Sequence, residues 1–174
     1  MFTSLRRVGF FLIALFTLSF AEEISAPSCS AILSYVEQNL PHHGTLKNSD
    51  GFVYVDLDDD YIHKLIPFIQ QDGFQEPPYF GDGGLVGAHI SVMDSEETAK
   101  YGIKEIKEYG EEISFIPQEC QVVHPLKWKK MDEVYFIVVE APELDEIRGK
   151  YGLPKREYAF HITVGVKPKM AKSA

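Results

Sequence analysis

Apolar and polar positions alternate along this chain with two periods, and the switches between them mark its elements. From Ser28 to Leu40 the apolar residues Ala31, Ile32, Tyr35, Val36 and Leu40 recur at helical spacing, and Pro41 closes the run. His42 to Gly51 is polar and reads as a loop. Phe52 to Leu57 is rich in β-formers and predicts a strand, and Asp58 to Gln71 predicts a helix with acids in its first turn and Gly73 as its stop. A loop rich in Pro and Gly, Gln75 to Gly84, leads to a strand at Leu85–Met93. Asp94 or Ser95 caps the next helix, which is expected to run to about Gly110. Glu112–Val123 predicts one strand, or two broken at Pro117. Glu133–Glu140 is a strongly apolar strand, Pro142 opens a helix that Gly152 and Pro154 end, and Glu157–Lys167 is the last strand.

The order of elements repeats. Strand, helix, glycine- or proline-bearing loop and a strand starting His-Ile-Ser-Val occupy one half. The other half has the same order, ending in His-Ile-Thr-Val. A repeated supersecondary unit predicts two lobes related by a pseudo-twofold axis, which would bring the two histidine strands face to face.

The N-terminus changes the picture of the chain's organisation. Arg6 and Arg7 precede an apolar run from Val8 to Phe20, and Ser19-Phe20-Ala21 sets small residues at −3 and −1 of a cleavage point. This is the pattern of a secretory signal peptide, too short to span a bilayer, so export without a stable membrane anchor is expected. The destination is a periplasm, the cell exterior or an endomembrane lumen. The expected organisation is a signal peptide at 1–21, an N-terminal helix and loop at 22–51, and a two-lobed domain at 52–174. The 153 residues after the signal carry a net charge of −11, since the two arginines leave with it. A body this acidic does not draw in a long polyanion, so any phosphate ligand is expected to be small. Cys29 and Cys120 are the right number for one disulfide in an oxidising compartment, or they are a pair of buried thiols.

The candidate chemistry lies in the two tetrapeptides. On a strand, residues two apart share a face, so His89 and Ser91 point one way while Ile90 and Val92 pack behind them. His161 and Thr163, backed by Ile162 and Val164, do the same. A given histidine is followed by this pattern in about 2% of cases on average composition. Two matched copies on a repeated unit therefore outweigh chance, where one would not. Imidazole titrates near neutral pH, so one histidine can take a proton while the other gives one. The Ser91 and Thr163 hydroxyls can donate to phosphate oxygens as their charge shifts. Strand parity adds Gly87, Gly165, Lys167 and, if the strand runs back far enough, Lys155 to the same cleft. Tyr158 and Phe160 fall on the opposite face and read as core. Tyr79 and Phe80, in the loop before the first motif, are candidates to stack on a base.

The paired His-apolar-Ser/Thr-apolar motifs resemble those of the 2H phosphoesterase superfamily, over roughly Phe52 to Lys167. The resemblance implies a bilobal α+β fold, mainly antiparallel sheet with helices outside and the motifs facing across a central cleft. It implies hydrolysis of small 2′,3′-cyclic or 2′,5′-linked nucleotides or RNA ends, usually without metal; no cofactor and a monomer are expected. By position, the catalytic histidines are His89 and His161 and the phosphate-binding hydroxyls are Ser91 and Thr163. Many members are cytoplasmic, so the export pattern is a departure. The alternative is a binding protein that keeps the cleft without turnover.

Three other signals lead elsewhere. The acids Asp56, Asp58, Asp59 and Asp60 lack the glycine and closing glutamate of a calcium loop and read as a strand end and helix start. The remaining histidines show no zinc spacing. Lys127, Trp128, Lys129 and Lys130 form the single basic cluster, with an aromatic inside it; it reads as a nucleic-acid or phosphate contact or, preferred in so acidic a chain, as a solvated turn between strands, and is the best source of local positive charge.

Overall fold

A computed structural model of the chain describes residues 29–77, 86–126 and 128–169. The expected signal peptide, Tyr79, Phe80 and Lys127 lie outside them. The fold is α+β, built on one seven-stranded antiparallel sheet. Its strands are β1 (His43–Ser49), β2 (Phe52–Asp56), β3 (His89–Met93), β4 (Glu112–Ser114), β5 (Ile116–Val123), β6 (Met131–Glu140) and β7 (His161–Pro168), in the spatial order β4-β1-β2-β3-β7-β6-β5. The helices are α1 (Cys29–Asn39), α2 (Asp60–His63), α3 (Ile66–Ile69), α4 (Ser95–Tyr101) and α5 (Pro142–Lys150).

The two expected lobes are the halves of this continuous sheet, joined along β3 and β7. The repeat is larger than the sequence suggests: β1-β2-helix-β3 matches β5-β6-helix-β7. The helical layer is exchanged between halves, because α2 and α3 pack on β7 while α5 packs on β3. Each helix therefore covers the apolar back of the other half's histidine strand. Ile90, Val92, Ile162 and Val164 are fully buried there.

Several expected boundaries move, each for a local reason. The expected loop at 42–51 is β1, whose only large buried residue is Leu46. The hairpin to β2 turns on Asp50 and Gly51, both at positive φ, directly after the pair Ser49–Phe52. An Asp-Gly pair in a two-residue turn is a strong hairpin signal. The helix expected over 58–71 splits into α2 and α3, since Pro67 has no N–H to donate. It still ends at Gly73, in the left-handed region. The next helix stops at Tyr101 rather than near Gly110. Gly102 takes φ 69°, its N–H donates to the Ala99 carbonyl and that of Ile103 to Thr98, a left-handed helix stop.

The strand expected at 112–123 is broken at Phe115, not Pro117. Its two pieces lie at opposite edges of the sheet, β4 on β1 and β5 on β6. One residue spans only about 3.5 Å, so the sheet curls until its edges meet at buried Phe115. Cys29 at the start of α1 is bonded to Cys120 on β5, with Cα atoms 5.6 Å apart, which fastens α1 to that edge.

Candidate active site

The centre of the site is a single pair of residues, Ile90 opposite Ile162, where β3 meets β7. Carrying that antiparallel register one residue each way sets His89 beside Thr163 and Ser91 beside His161. The histidines are diagonal neighbours, a spacing of about 7–8 Å on a regular pair. Each imidazole thus faces the hydroxyl of the other motif, and the local pseudo-twofold axis passes between Ile90 and Ile162.

Beyond that pair the strands diverge, and other groups fill the wedge. The Gln75 backbone pairs with Val166 through two 2.9 Å hydrogen bonds. At the other end the Arg156 guanidinium donates to the Ser91 carbonyl and lies 5.4 Å from the Phe160 ring. Arg156 thus supplies the donor that a continuing β7 would have offered.

The two rings are held identically. Nδ1 of His89 lies 2.8 Å from the Gly87 carbonyl, and Nδ1 of His161 lies 3.1 Å from that of Ala159. A carbonyl accepts only, so Nδ1 carries the proton and Nε2 is left for the cleft. Phe52 and Tyr54 stack on each other at 5.1 Å and present edges to His89 at 5.6 and 6.0 Å. Phe136 lies 4.6 Å from His161. Burial in this aromatic setting holds both imidazoles below their ordinary value, and the carbonyl bonds oppose it. The neighbours then differ. Asp56, opposite His89, pulls that ring upward, whereas Arg156 and the charge of His89 push His161 further down. The residue matching Asp56 in the other half, opposite His161, is Val138.

His89, Ser91, His161 and Thr163 line one pocket of about 130 Å³. Gly87 is in its wall, but not to leave room for a ligand. The Asp59 carboxylate fills the space a side chain would need, and it accepts the Ala88 N–H at 3.0 Å. A larger cavity of about 540 Å³, bordered by Asn48, Lys104 and Tyr109, contains none of the paired motif residues.

Lysines expected in the cleft lie elsewhere. β7 begins at His161, so Lys155 is on an exposed non-strand segment. Tyr158 on the same segment is exposed, not core, while Phe160 is buried as expected. A bulge between Tyr135 and Phe136 shifts the register of β7, and parity fails beyond Thr163. Gly165 accordingly abuts Ile66 and Ile69 of α3. Lys167 pairs with Glu133 at 3.1 Å and lies 5.7 Å from the Phe74 ring. The acids read as helix start have separate duties: Asp56 pairs with Lys47 at 2.5 Å, and Asp58 accepts the Asp60 N–H.

Trp128 belongs to the site, against the reading the sequence favoured for it. It lines the pocket with the histidines, although its cluster read as a solvated turn. The available signal was an aromatic residue, the chain's single tryptophan, inside the single basic cluster.

A family model described as Swiss Army Knife, 2H phosphoesterase domain, matches residues 53–171, more than half of the chain. Comparisons with curated proteins and with solved structures returned no match.

Proposed function

Since the chain belongs to the 2H phosphoesterase family, we propose that it hydrolyses a small 2′,3′-cyclic or 2′,5′-linked phosphodiester with His89 and His161 as acid and base. The observation that carries this reading is the matched pair of rings, each with Nδ1 tied to the carbonyl two residues back and each opposite a hydroxyl. One Nε2 takes a proton from water as its oxygen attacks phosphorus. The other gives a proton to the oxygen that leaves, and the products are a phosphomonoester and a free hydroxyl. Ser91 and Thr163 donate to the non-bridging oxygens as negative charge builds there. Neutral imidazole suits the base, and imidazolium the acid. On this reading His89 is the acid and His161 the base; the support is that Asp56 opposes the lowering of His89 while Arg156 adds to that of His161. The test is turnover of a 2′,3′-cyclic nucleotide and a 2′,5′-linked dinucleotide by the purified protein. Hydrolysis of either supports the reading; tight binding of both without product refutes it.

The division of roles has its own consequence. Asp56→Asn removes the charge that raises His89, so the alkaline limb of the kcat/KM profile is expected to move to lower pH. Arg156→Met removes the charge that lowers His161, so the acid limb moves to higher pH. Both variants narrow the profile, from opposite sides. If Asp56→Asn moves the acid limb instead, the roles are reversed; if it moves neither, Asp56 does not tune the site.

A further inference from the structure

The pocket has more wall than a phosphate group requires. Two imidazoles and two hydroxyls line it, and these four suffice to surround a phosphodiester. The same pocket is lined by Ile62, Pro77 and Val86 from the first half of the chain, and by Trp128 from the second. The indole is 37% exposed. It sits on the turn joining β5 to β6. That turn is pinned on both sides, the Trp128 N–H donating to the Pro125 carbonyl at 3.3 Å and the Met131 N–H to the Trp128 carbonyl at 3.1 Å. The next residues, Lys129 and Lys130, are exposed.

We propose that Trp128 is a specificity residue that stacks on a nucleobase attached to the scissile phosphodiester. This rests on the phosphodiesterase reading and names which part of the substrate the walls take. A flat aromatic ligand matches a pocket lined by an indole and apolar side chains, because every base presents a π-face and stacking does not depend on its edge. A sugar phosphate without a base would leave the exposed part of Trp128 uncovered. The exposed Lys129 and Lys130 adjoin Trp128 in the chain. They supply local positive charge to a chain of net charge −9.

The chain's single tryptophan makes the test direct. In His161→Ala, which removes turnover under the phosphodiesterase reading, intrinsic fluorescence is titrated with a nucleoside 2′,3′-cyclic phosphate, with ribose 2′,3′-cyclic phosphate lacking a base, and with inorganic phosphate. Saturable quenching by the nucleotide alone is expected. In the otherwise native protein, Trp128→Ala is expected to lower the ratio of kcat/KM for the nucleotide over the base-free ester by roughly 5- to 150-fold, the usual range for losing one stacked base. Trp128→Phe keeps a π-face and recovers part of the ratio. Calorimetric binding of the nucleotide without a fluorescence change overturns the proposal, as does an unchanged ratio in Trp128→Ala. Quenching by the nucleotide in a native protein that turns over no phosphodiester retains the stacking site and rejects the hydrolytic reading. Hydrolysis with an unchanged ratio does the reverse.

Discussion

Replacing His89 or His161 by alanine is expected to lower kcat for phosphodiester hydrolysis by roughly 10²–10⁴-fold, the usual contribution of one positioned proton-transfer group. The fold is expected to survive both changes. Each ring projects from the open face of its strand, and the fully buried residues behind it, Ile90, Val92, Ile162 and Val164, are untouched. The double variant is expected to lose less than the product of the single losses, because the two rings serve one transition state. Thr163→Val keeps the side-chain shape and removes only the hydroxyl. Its expected loss is about 10²–10³-fold, the range for one donor aimed at developing charge. The measurement is kcat at neutral pH beside a thermal melt. Full activity in both histidine variants rejects the two-histidine mechanism. A loss in only one leaves a single proton-transfer group, with water supplying the other.

The largest effect on stability is expected at Arg148, which is 2% exposed on α5. Its guanidinium donates to both carboxylate oxygens of Glu97, at 2.7 and 3.0 Å. It also donates to the Val92 carbonyl on β3 at 2.6 Å, and to the Pro154 carbonyl at 3.0 and 3.3 Å. Glu97 itself closes the capping box of α4, its N–H donating to Asp94 and its carboxylate accepting from the Asp94 N–H. One side chain therefore ties α4, α5, the end of β3 and the segment leading to His161. Arg148→Met takes its donor from the buried Val92 carbonyl and the part-buried Pro154 carbonyl, and leaves the Glu97 carboxylate with only the Asp94 N–H. Breaking a fully buried pair this way costs about 3–5 kcal/mol, and with the Glu97 side chain 32% exposed the low end, about 3 kcal/mol, is expected. At this chain length that lowers Tm by roughly 6–12 °C, taking about 2–4 °C per kcal/mol. Glu97→Gln keeps the side-chain shape and is expected to cost less.

The same pair gives a pH signature. The hydrogen bonds from Arg148 hold the Glu97 carboxyl below its ordinary value of 4.5. A depressed folded-state value means that this stabilisation is complete above the ordinary value and is lost as pH falls through the folded one. Arg148→Met is therefore expected to flatten the acid side of the stability profile as well as lower the plateau. Thermal melts between neutral and acid pH measure both. An Arg148→Met protein that melts with the native one at every pH rejects the account.

Local signals were sufficient for much of this molecule. Helix α1, the strands that became β2, β3, β6 and β7, the Pro142 start of α5 and the two motifs all follow from short-range pattern. Alternation puts the histidines and hydroxyls on one face because neighbouring strand residues point to opposite sides. Where signals compete, local reading fails. β1 is polar and carries one large buried residue, yet the Asp50-Gly51 turn was there to be weighed. Gly102 outranked the longer helical pattern because a left-handed residue satisfies the last carbonyls at once.

Other features have no local signature. A bulge rotates β7 past Thr163, so parity from His161 gives the wrong face for Gly165 and sends Lys167 to Glu133. The break at Phe115 exists because the sheet curls and its two edges claim opposite ends of one stretch. Trp128 enters the pocket wall only because β6 runs beside β7. The contrast between Asp56 and Val138 appears only once β2 and β6 flank the histidine strands. Backbone periodicity is set within a few residues, so sequence alone was enough to orient each motif. Which charges and rings surround it depends on strands brought together across the whole chain, and only the tertiary register decides that.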